Sequence, residues 1–164
     1  QYFTSRCFQL WDTNILTHEA KYRTWSEHFR GEIGDFDENR LDKLITDFNA
    51  FNTLFPQDHY LGAYANLCSA ILKMHKRQHT PNLAKQFVDI ENKYPDLPEI
   101  GIMSSWCNAM SLASTEPVKA KEAFKHLATR YKNHDWRVVH VATEASKGST
   151  EKWVEMGLIA KQYR

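Results

Sequence analysis

Four stretches of the chain carry apolar residues at one spacing. Leu44, Phe48, Phe51 and Phe55 are followed by Leu83, Phe87, Ile90 and Tyr94. The set returns as Ala120, Phe124, Leu127 and Tyr131, and in part as Met156, Ile159 and Tyr163. Each set reads i, i+4, i+7, i+11, a single stripe along an α-helix of about 3.6 residues per turn. The closing aromatics stand 39, 37 and 32 residues apart. Self-similarity at that period is the signature of stacked helical hairpins, each of which buries its apolar face against the next.

Start and stop signals bracket these stripes. Thr80-Pro81 sets a capping hydroxyl before a proline at the first helical position, and Thr115-Glu116-Pro117 has similar parts. Ser149-Thr150-Glu151 opens the last helix with a cap and an early acid, which suits the positive end of the helix dipole. The first copy begins near Asp37-Glu38, after the breakers Gly31 and Gly34. Phe55-Pro56-Gln57-Asp58 and Tyr94-Pro95-Asp96-Leu97-Pro98 end two helices, because proline cannot continue the hydrogen-bond ladder. Tyr131-Lys132-Asn133-His134-Asp135 occupies the third equivalent place without a proline.

Partner helices lie between the stripes. Tyr64, Leu67, Cys68 and Ile71 align with Met103, Trp106, Cys107 and Met110, and more faintly with Val138, Val141, Ala142 and Ala145. Cys68 and Cys107 fall where neighbouring hairpins approach closely, so both read as small packing residues. Upstream, Tyr22, Trp25, Phe29 and Ile33 make one further amphipathic stripe. Phe3, Cys7, Leu10 and Trp11 suggest a helix that caps the open end of the stack, as repeat arrays need for solubility.

At 164 residues with 42% hydrophobic and 25% charged side chains, the chain has the composition of one folded domain. No apolar run approaches the roughly 18 residues of a membrane span. The start, Gln1-Tyr2-Phe3, carries neither a signal-peptide pattern nor a methionine, and reads as a processed or trimmed chain. Three cysteines without a CxxC pair fit a reducing compartment, so a cytoplasmic location is expected. Charge drifts along the chain: residues 1–50 carry −3, residues 51–100 are neutral and residues 101–164 carry +4. That asymmetry either orients a charged partner or reflects solvated helix faces.

The chain from about residue 20 resembles the tetratricopeptide repeat family, whose unit is a helix–turn–helix of about 34 residues. Tyr64 and Met103 take the family's large early position, Cys68 and Cys107 its small one, Phe87 and Phe124 its second-helix aromatic, and Pro56 and Pro95 its terminal proline. The resemblance implies an all-α fold, an α-α superhelix or solenoid of about four helical hairpins with an N-terminal capping helix. A single domain then spans 1–164, with the cap at 1–17 and units at 18–58, 59–96, 97–134 and 135–164. It also implies a concave groove lined by first helices. The matched positions are Ala65, Ser69, Leu72 and Lys73, then Ser104, Asn108 and Ser111, then Val139, Thr143, Ser146 and Lys147. The row is small, polar and weakly basic, and it faces either a partner or water.

Signals for chemistry are few. His75 and His79 stand at a zinc-compatible spacing, but Lys76 and Arg77 oppose a cation, and zinc sites generally need three or four ligands. His126, His134 and His140 have no acidic or nucleophilic partner at a recognisable spacing, and no GxSxG, Walker or dinucleotide glycine pattern occurs. Lys119, Lys121, Lys125, Arg130 and Lys132 would suit phosphate, yet Glu116 and Glu122 interleave them, which reads as a solvated face. The expectation is a non-enzymatic scaffold without cofactor or metal. It binds a protein or peptide through Ser69, Lys73, Ser104, Asn108, Ser111, Thr143, Ser146 and Lys147, and an inhibitory, immunity-type partner is its sharper form. The alternative is a regulatory domain that binds a ligand or nucleic acid through the basic C-terminal third.

Overall fold

The computed structural model describes residues 38–75, 81–134 and 136–155. Among them are seven helices and no strand: α1 (Glu38–Leu54), α2 (His59–His75), α3 (Pro81–Lys93), α4 (Pro98–Leu112), α5 (Pro117–Arg130), α6 (Trp136–Lys147) and α7 (Thr150–Glu155). The expected capping helix, the stripe from Tyr22 to Ile33, Cys7, His79 and the fourth stripe from Met156 to Tyr163 lie outside the described residues. The chain divides into two compact units, Gln1–Gln78 and His79–Arg164. Their boundary falls inside the expected 59–96 repeat.

In the first unit α1 packs on α2. Leu44, Phe48 and Phe51 of the stripe are buried, and Phe55, just past the helix end, is half-buried. On α2 the buried set includes Tyr64, Leu67, Cys68 and Ile71. Asp58 caps α2: its Oδ1 accepts the Leu61 amide at 2.9 Å. That carboxylate satisfies one of the donors every helix start leaves open.

In the second unit α3 packs on α4, α4 on α5 and α5 on α6. Leu83, Phe87, Ile90 and Tyr94 are buried, as are Ala120, Phe124, Leu127 and Tyr131. The centre is aromatic. Trp106 on α4 meets Phe124 edge-on at 5.5 Å between ring centroids, and Phe124 meets Trp153 on α7 at 6.1 Å. Such edge-to-face pairs add about 0.5–1.5 kcal/mol beyond the area they bury. Trp153 is fully buried, and its indole N–H donates to the Ala145 carbonyl at 2.7 Å. Gly148 makes room for it, since a Cβ there would lie 3.3 Å from the indole. Trp153 thereby fastens the short α7 onto the unit.

The three stripe-to-turn junctions are built alike. Phe55, Tyr94 and Tyr131 are each the first residue beyond their helix. Their amides donate to Phe51, Ile90 and Leu127 carbonyls, and their own carbonyls accept the amides of Asp58, Leu97 and His134. Pro56 and Pro95 occupy the first two turns, and the third forms the same bonds without proline. In the second unit the last helical residue is a cation lying over the aromatic ring, Lys93 over Tyr94 at 5.2 Å and Arg130 over Tyr131 at 5.6 Å. A cation there also complements the negative end of the helix dipole.

Helix starts differ in part from expectation. Pro117 does begin α5, and Pro98, read as part of a stop signal, begins α4, but Leu97 and Glu116 stand at the N-cap and neither forms a side-chain cap bond. Thr115 lies one residue too early to cap α5. Ser149 does cap α7, its hydroxyl accepting the Lys152 amide at 3.4 Å. Cys68 and Cys107 are buried thiols outside any disulfide, in keeping with a packing role.

Candidate functional site

The polar row expected to line a groove separates into three kinds of position. Ser69 and Ser104 are buried. Ser69 donates to Asn49 Oδ1 at 2.9 Å, which ties α2 to α1. Ser104 is fully covered, and neither its hydroxyl nor that of Ser105 has a hydrogen-bond partner. The reason is that α4 is packed by α3 and by α5, so little of its circumference reaches water. A solvent-facing Ser104 is therefore ruled out. Lys73, Asn108, Ser111, Thr143 and Ser146 are half-buried, and Lys147 is exposed.

Much of the row's hydrogen-bonding capacity is already used at home. Ser111 donates to the Asn108 carbonyl at 2.8 Å, Thr143 to the Val139 carbonyl at 2.7 Å and Ser146 to the Thr143 carbonyl at 2.7 Å. Hydroxyls that bond back to their own helix need no external partner. Lys147 pairs with Glu144 at 3.3 Å. The three hydroxyls can still accept from a ligand, but their protons are already committed to their own helices.

The second unit also holds a buried ionisable cluster. Glu91, on α3, is only 3% exposed. Its Oε1 accepts the Tyr131 hydroxyl at 2.8 Å, and Arg130 Nη1 and His126 Nε2 lie 3.2 and 3.3 Å from it. All three partners come from α5 or the residue after it. Burial, and then the bond to Glu91, push the Tyr131 hydroxyl well above the usual tyrosine range, with Arg130 opposing. The hydroxyl stands where Gly101 of α4 leaves space, since a Cβ there would collide with Tyr131 Oη and lie 2.9 Å from Cζ. His126, without a sequence-visible partner, thus meets an acid 35 residues away. A buried carboxylate needs such donors, because leaving one uncompensated costs several kcal/mol. The cluster joins α3, α4 and α5, and its groups are spent on one another.

A different surface is open. On α6, Ala142 and Ala145 point inward, whereas Trp136, Arg137, His140 and Lys147 are exposed. Trp136, His140, Thr143 and Lys147 follow the same i, i+4, i+7, i+11 spacing as the core stripes, but on the outward face. Trp136 is 71% exposed. The sequence hides it because its companions at that spacing are polar, and a large aromatic among polar residues was the available signal. On α5, Lys119 pairs with Glu116, which raises its already high pKa, while Lys125 on α5 and Lys132 in the turn after it are exposed.

Elsewhere, an open depression of about 600 Å³ lies at the α1–α2 turn, lined by residues 54–60. Its acid, Asp58, is occupied in capping α2. No three His, Cys, Asp or Glu side chains converge among the described residues, and none of the described helices is long and apolar enough to cross a membrane. Set against protein-family models, curated proteins and solved structures, the chain matches none.

Proposed function

We propose that the chain is a non-enzymatic, tetratricopeptide-like α-α superhelix that binds a protein or peptide partner through exposed helix faces, with an inhibitory, immunity-type role as its sharper form. The observation that carries the reading is the set of three junctions sharing one hydrogen-bond pattern at the spacing of the stripes. Repeat architectures of that kind stack helix pairs and offer extended surfaces used mainly for recognition. The buried thiols agree with a reducing, cytoplasmic setting.

In the second unit the accessible part of the expected row is Asn108 and Ser111 on α4, with Thr143, Ser146 and Lys147 on α6. In the first unit it is Lys73. The test is affinity capture from the native source, followed by titration of the captured protein against folded variants. Asn108→Arg should obstruct docking through bulk and an unmatched charge. Lys147→Glu and Lys73→Glu should each slow association with an acidic partner, an effect that fades at high salt. Unchanged affinity in all three variants would remove these positions from the binding surface.

A further inference from the structure

We draw no further inference here: the strongest candidate, the outward face of α6 around the exposed Trp136, carries nothing, because Lys147 on that face is paired with Glu144 and nothing in the structure shows what covers the indole.

Discussion

Tyr131 shows how much of this fold can hang on a single atom. Its hydroxyl donates to buried Glu91 at 2.8 Å and passes over Gly101, the one residue type that leaves it room. Tyr131→Phe removes that donor and should cost about 1–2 kcal/mol in urea unfolding, since Arg130 and His126 still face the carboxylate. Gly101→Ala gains about 1 kcal/mol of helix propensity but forces the ring to shift, so a net loss of about 1–2 kcal/mol is expected. A stabilised Gly101→Ala variant would show that Tyr131 moves aside freely. The thiols make a separate prediction: Cys68 and Cys107 are buried, so both should label with a thiol reagent far more slowly in the native chain than in urea.

At the scale of the helix, Phe87 and Phe124 are fully buried, and replacing either with Ala should cost about 3–5 kcal/mol. A trivial shift in both unfolding midpoints would contradict the packing described. These positions were legible in the sequence because an apolar residue at helical spacing has one common explanation, and the closing aromatics Phe55, Tyr94 and Tyr131 proved to mark the helix ends. Glu91 was not legible. It sits next to Ile90 on the buried side of α3, and a reading that counts apolar residues passes over an acid whose donors arrive from 35 to 40 positions away. Ser104 misled for a related reason. A small polar residue on a helix packed from two sides is covered by its neighbours, and the pattern of α4 alone does not reveal how many neighbours it has. Trp136 was visible as a residue, but its companions at the helical spacing, His140, Thr143 and Lys147, are polar, so no apolar stripe placed it.

For the molecule as a whole, the raised Tyr131 pKa links stability to alkaline pH. The folded state keeps the hydroxyl protonated, whereas the unfolded chain releases its proton near the usual tyrosine value of about 10. The contribution is thus complete below that value and is lost as pH rises from it toward the higher folded value. Urea unfolding of wild type and Tyr131→Phe across pH 8 to 11 should show a free-energy gap that is constant at first and narrows above about 10. A gap that stays constant throughout would mean the hydroxyl ionises alike in both states. Trp153 has a consequence in time. It covers the Phe124 ring that already meets Trp106, so the second unit cannot complete its centre until position 153 has been synthesised. A ribosome-bound chain halted a few residues earlier would present that aromatic pair to chaperones, and the emergence of one indole would end the exposure.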